Sequence, residues 1–178
     1  MIRMKHVASA ALLVAGIPLA AFAQVTQNVQ VSVQVSGSCS LTAPVNANFG
    51  NQLPGATALT RIATGTVTLR CNRGASPVVA VGNGSNFLAT RRMSNGAPTP
   101  AFVSYAVKQP TITGGNFTAC PAFGGGAAWG TGASALNASA SFTTSGGTRP
   151  LSVCFETTID ENMAVATYTD TVALTVTF

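Results

Sequence analysis

Val25-Thr26-Gln27-Asn28-Val29-Gln30-Val31-Ser32-Val33-Gln34-Val35-Ser36 alternates apolar and polar residues with a single error. Valine holds every odd position except 27, and every even position is Thr, Asn, Gln or Ser. A helix would scatter these valines around its circumference, whereas an extended strand sets them all on one face. The spacing therefore predicts a strand over 25–35. The other end of the sequence repeats the pattern. Tyr168, Val172, Leu174, Val176 and Phe178 share one face, and Thr169, Thr171, Thr175 and Thr177 share the other. Asp170 is the one polar residue on the apolar face and is expected at its rim. An apolar-faced strand running to Phe178 must find a neighbour, because a bare strand edge is a template for association. The 25–35 strand is a natural neighbour, joined to the body only by Ser36-Gly37-Ser38. Whether it docks on its own body or on another copy is left open by reach and topology.

Between these ends, short alternating runs are separated by Asn83-Gly84, Asn95-Gly96, Gly114-Gly115, Gly124-Gly125-Gly126 and Gly146-Gly147. These are turn formers, each suited to backbone conformations that most residues avoid. Strands are expected over 38–43, 62–72, 77–82, 101–108, 136–142, 150–159 and 166–178. β-branched residues dominate the apolar positions, and no helix or internal repeat is expected. The pattern is that of an all-β sandwich or barrel.

Residues 1–6 carry Arg3 and Lys5, an uncharged and largely apolar run follows over 7–20, and Ala21-Phe22-Ala23 supplies a small-x-small cleavage pattern. This is the form of a secretory signal peptide, expected over 1–23. The apolar run is short for a membrane anchor. No later segment is apolar enough to span a bilayer, so an exported protein is expected. Without residues 1–23, 155 of the 178 residues remain, enough for one domain with a real core. That remainder holds 7 Lys+Arg, 4 Asp+Glu and no histidine. Histidine-based acid–base catalysis and histidine-ligated metals are thereby excluded from the mature chain.

Cys39, Cys71, Cys120 and Cys154 form an even set, which in an oxidising compartment reads as two disulfides. No C-x-x-C spacing occurs, so no metal site is expected. Of the three possible connectivities, Cys39–Cys71 with Cys120–Cys154 is favoured, because each closes a loop of some thirty residues within one part of the chain.

The remaining polar residues have bland readings. Arg91-Arg92 reads as a solvated turn beside Asn95-Gly96. A net charge of +3 on the mature chain, without basic–aromatic interleaving, gives no nucleic-acid footprint. A glycosidase pair would have to come from Glu156, Asp160, Glu161 and Asp170, but Asp160-Glu161-Asn162 reads better as a polar turn. Gly124-Gly125-Gly126 follows no strand–helix signal, so no phosphate loop is expected. Trp129 could stack on a sugar, although a single Trp more often serves a core or rim.

An ordered set of segments carries a resemblance. Cys39-Ser40-Leu41, Asn48-Phe49-Gly50, Ala63-Thr64-Gly65-Thr66-Val67-Thr68-Leu69-Arg70-Cys71, Arg91-Arg92-Met93-Ser94-Asn95-Gly96, Trp129-Gly130-Thr131-Gly132 and the run from Tyr168 to Phe178 resemble the spore coat protein U domain family. That family includes subunits of archaic, Csu-type chaperone–usher pili. The glycine-rich insert over 114–129, with Cys120, and Cys154 in a strand region depart from its simplest pattern. They read as a second disulfide tying the insert down.

The resemblance implies an incomplete immunoglobulin-like β-sandwich completed by donor-strand complementation. A periplasmic chaperone fills the vacant position first, and the N-terminal extension of the next subunit then replaces it. This is strand addition to an exposed edge, for which chaperone–pilin complexes are an established case. Carried onto this chain, the donor strand is 24–36 with Val25, Val29, Val31, Val33 and Val35. The body is 37–178, and Tyr168, Val172, Leu174, Val176 and Phe178 wall the acceptor groove. The expected function is structural, not enzymatic and without cofactor or metal: a pilus subunit, secreted to the periplasm and then the cell surface, supporting adhesion and biofilm formation. Its expected partners are a pilus chaperone, an outer-membrane usher and other copies of itself or related pilins, with no nucleic acid. The alternatives are a self-complemented coat or matrix protein of the same family, and a carbohydrate-binding module using the loops near Trp129.

Overall fold

The computed structural model describes residues 27–178. The expected leader over 1–23 and Val25 lie outside the described residues. Ten strands form the fold: β1 (Cys39–Val45), β2 (Leu59–Cys71), β3 (Val78–Val81), β4 (Arg91–Ser94), β5 (Phe102–Lys108), β6 (Thr111–Thr113), β7 (Asn116–Ala119), β8 (Leu136–Asn137), β9 (Gly147–Ile159) and β10 (Leu174–Thr177). The only helical elements described are two 3₁₀ turns, Gly132–Ser134 and Ser139–Ser141. The all-β expectation therefore holds.

One sheet runs β1-β2-β9-β5-β4, with β7 joining the free part of β9 and β6 pairing with β7. Its spine is the antiparallel pairing of β2 with β9, in register from Leu59↔Ile159 to Cys71↔Gly147. Along β2, Ala63, Gly65, Val67, Leu69 and Cys71 are buried, and Thr64 and Arg70 are exposed, as an alternating sequence dictates. The second sheet is β10-β3-β8. Between the sheets, Leu69, Leu151, Val153, Val79, Val81 and Val107 pack with Phe117, Trp129 and Phe142 into a single core.

The alternation breaks along β9, where Leu151, Ser152, Val153 and Cys154 are all buried. The insert supplies the reason, because it covers the face of β9 that would otherwise meet water. Phe117 pairs with Leu151 in parallel and is fully buried, Ser152 Oγ donates to Thr118 O, and Cys120 is disulfide-bonded to Cys154. Cys39 is bonded to Cys71 at one end of the sheet. Gly124 N donates to Glu156 Oε2 at 2.8 Å, and Lys108 Nζ lies 3.3 Å from Glu156 Oε1. The glycine-rich insert thus contributes one short strand, β7, which pairs with β6 just before it and carries the core aromatic Phe117, where no strand is expected from the sequence.

Three further expectations need correction. Arg91–Ser94 is a strand, β4, paired with β5, and not a solvated turn. The Arg91 guanidinium donates to the carbonyls of Gly82 and Val81, and Arg92 lies 4.0 Å over the Phe102 ring, so both charges are accommodated within a sheet. The strand expected over 136–142 is only Leu136–Asn137, because the chain then coils into the 3₁₀ turn that buries Phe142. Over 166–178, continuous ladder pairing is confined to Leu174–Thr177. Removing the Phe117 ring by Phe117→Ala is expected to lower stability by about 3–5 kcal/mol in urea titration. A loss under about 1 kcal/mol would mean that the insert is peripheral.

Candidate functional site

The strand expected at the C-terminal end sits at the margin of its sheet. β10 pairs with β3 on one side through Leu174↔Val81, Thr175↔Ala80, Val176↔Val79 and Thr177↔Val78. The chain leading into it is held on that same side: Thr169 exchanges backbone hydrogen bonds with Ser94, Thr171 O accepts from Ser85 N, and Ala173 O accepts from Gly82 N. Backbone groups of an antiparallel strand point left and right at alternate residues. The odd residues therefore face β3, and Val172, Leu174 and Val176 direct their N–H and C=O groups to the opposite edge. Among the described residues no strand pairs there. The side chains of the same three residues are half-buried against the core.

Alongside runs an open groove of about 1290 Å³. Its floor is Val67, Met93, Val103, Tyr105, Val153 and Phe155, from β2, β4, β5 and β9. Residues 163–172 and Leu174 form one wall, and the irregular segment 44–54 forms the other. β1 departs from its ladder between Thr42 and Val45, with Ala43 in the left-handed region at φ 51°, and the chain then passes into that second wall. Leu53 and Val165, on opposite walls, are 88% and 107% exposed.

Of the five C-terminal residues expected to wall the groove, Tyr168, Val172 and Leu174 line it. Val176 packs further along β10, and Phe178 is 59% exposed. Asp170, expected at the rim of the apolar face, lies half-buried in the groove wall and is fully engaged. Its carboxylate accepts from Ser85 N, Asn86 N, Asn86 Nδ2 and, at 2.6 Å, the Tyr105 hydroxyl. Gly84 permits this closeness: it has φ +89°, and a Cβ there would meet Asp170 Oδ2 at 2.1 Å. This network, absent from the sequence reading, ties the groove wall to the floor through Tyr105. Only the polar break at 170 in an otherwise apolar face hinted at it.

Four of the five valines of the expected donor strand lie among the described residues. Residues 27–38 have no regular secondary structure, and Val29, Val31, Val33 and Val35 are between 77% and 92% exposed. Trp129 is fully buried and its Nε1 donates to Val79 O at 2.8 Å, so it offers no ring face to a sugar. Three of the four carboxylates serve structure: Glu156 pairs with Lys108, Asp170 sits in its network, and Asp160 Oδ1 caps the turn after β9 by accepting from Asn162 N, while Glu161 is exposed. No group of three or more metal-ligating side chains is found among the described residues.

Burial first, and the bond to Asp170 second, hold the Tyr105 hydroxyl well above the ordinary tyrosine range, with Arg91 opposing. Burial lowers the Arg91 guanidinium, and Tyr105 and Asp170 counter it. Because folding favours the protonated Tyr105, its stabilising contribution is whole below pH of about 10 and is lost as pH rises towards the folded value. Tyr105→Phe is expected to cost about 1–3 kcal/mol near neutrality and to lessen the alkaline loss of stability in pH-dependent melting. An unchanged alkaline slope would contradict this.

No curated protein matches the chain. Among similar solved structures is the CsuC–CsuE chaperone–tip adhesion subunit pre-assembly complex from archaic chaperone-usher Csu pili of Acinetobacter baumannii, at 19% identity and a TM-score of 0.48. The match covers 81% of this chain and 40% of the solved chain. The Spore Coat Protein U domain model matches residues 25–175, which include the valine-bearing arm, the insert and the first half of β10. The chain belongs to the Spore Coat Protein U domain family.

Proposed function

We propose that this chain is a structural subunit of a surface fibre built through the chaperone–usher pathway, in which the arm over 24–36 of one copy fills the groove of another. The observation that carries the reading is the pairing of two unmet needs. The groove has an apolar floor and an edge along Val172, Leu174 and Val176 whose outward backbone groups face no paired strand among the described residues. The arm has an alternating valine face exposed to water. A strand laid along β10 satisfies the backbone groups and buries valines at about 1.5–3 kcal/mol each when fully enclosed.

Before assembly the same groove would be occupied by a strand from a periplasmic chaperone, with an outer-membrane usher delivering the subunit. The route implies export over 1–23, passage through the periplasm and display at the cell surface, where the fibre supports adhesion and biofilm formation. Both disulfides suit that oxidising route.

The two faces of the arm make the test. Val31→Asp or Val33→Asp is expected to abolish denaturant-resistant polymers in size-exclusion chromatography, since an unpaired charge would enter an apolar groove. Gln30→Thr or Ser32→Thr, on the opposite face, is expected to leave them intact. Equal sensitivity of both faces would contradict one-sided docking. A monomer that needs the arm for stability yet never polymerises would point instead to a self-complemented coat or matrix protein.

A further inference from the structure

The two ends of the large sheet differ in charge. At one end, where Cys39, Cys71 and Gly147 lie side by side, the arm joins the body. Asn72 Nδ2 donates to Ser36 O, and Ser38 N donates to Asn72 Oδ1, so this junction is anchored. Arg70, Arg73, Ser38, Ser40, Asn72 and Gly146 surround a shallow notch of about 560 Å³ there. Arg70 and Arg73 are exposed and Arg149 is close by in sequence and register, opposite Leu69. No Asp or Glu falls within residues 36–75 or 143–151. At the other end Leu59 pairs with Ile159, and the turn Asp160-Glu161-Asn162 follows. Glu161 is exposed and lines the mouth of the groove. Neither Asp160 nor Glu161 makes an ion pair among the described residues. The thirteen residues of β2 separate these ends by about 40 Å.

We infer that the arginine notch of one copy docks on the Asp160-Glu161 turn of the copy whose groove holds its arm. This rests on the strand-exchange reading and deepens it. The linker 36–38 reaches at most about 10 Å, so the notch must stay against whichever end of the acceptor groove its arm leaves. The chain runs from the acidic turn through 163–173 to Thr177, opposite Val78 at the basic end. An arm antiparallel to β10 leaves at the acidic turn, and basic notch meets carboxylates. A parallel arm would leave at the basic end and set two arginine notches face to face, with no carboxylate near either. Charge complementarity therefore steers encounter of the correct ends and penalises the wrong orientation.

The test uses full-length protein and follows polymerisation by light scattering at low and high salt. Asp160 is left unchanged because it caps its turn. Arg70→Glu with Arg73→Glu, and separately Glu161→Lys with Asn162→Lys, are each expected to slow polymerisation about tenfold or more at low salt. Mixing the two variants is expected to restore the rate as an alternating copolymer, since each repels itself and attracts the other. The milder pair Arg70→Gln with Arg73→Gln should fold as the parent does and flatten the salt dependence. A parent rate indifferent to salt, or charge-reversed variants that polymerise at the parent rate, would overturn the contact. If polymers remain indifferent to these charges but vanish when 24–36 is deleted, strand exchange stands and only the contact falls. Polymers that persist without 24–36 would sink the strand-exchange reading itself.

Discussion

Backbone hydrogen bonding along β10 is the constraint from which the rest follows. Every N–H and C=O in a sheet needs a partner, and an edge strand presents a row of them without one. Here the exposed row belongs to Val172, Leu174 and Val176, whose side chains already face the core. The edge thus opens beside apolar floor residues such as Val103, Val153 and Phe155. Two separate deficits, unpaired polar backbone and uncovered apolar surface, occupy the same strip of the molecule. In the proposed assembly, one extended segment with valines on one face would answer both.

The surrounding structure keeps that strip open while the remainder of the fold is closed firmly. The long β2–β9 ladder, the two disulfides and the core around Phe117, Trp129 and Phe142 hold the floor without help from an added strand. The Asp170 network holds the wall against Tyr105, Ser85 and Asn86. The groove is therefore shaped by covalent and hydrophobic restraints beneath it and by a polar network between its floor and its wall, an arrangement suited to a segment that brings little order of its own.

Much of this was legible in the residues themselves. Alternation located β2, β5 and β9 because one face of each is buried, and the same period singled out Val172, Leu174 and Val176. The cysteine pairing followed from loop size. What escaped the reading lay where period and burial part company. β4 carries Arg91 and Arg92 on a strand, their charges met by carbonyls and an aromatic face that come from distant sequence. The insert hides Phe117 among glycines, and its role is set by a parallel contact with Leu151 more than thirty residues on. The 44–54 wall has almost no regular structure, so no pattern announces it. Asp170 showed as a flaw in an apolar face, but its four donors come from two segments, 85–86 and Tyr105, that only folding brings to it.

Amide hydrogen exchange read at single residues in full-length protein tests the central claim most directly. In assembled protein the Val172, Leu174 and Val176 amides should exchange as slowly as those of β2, and in the same protein carrying Val31→Asp with Val33→Asp they should exchange at rates typical of an open edge. Equal protection of these three amides in both proteins would mean that the fold already supplies their partners and that the arm has no vacant position to fill.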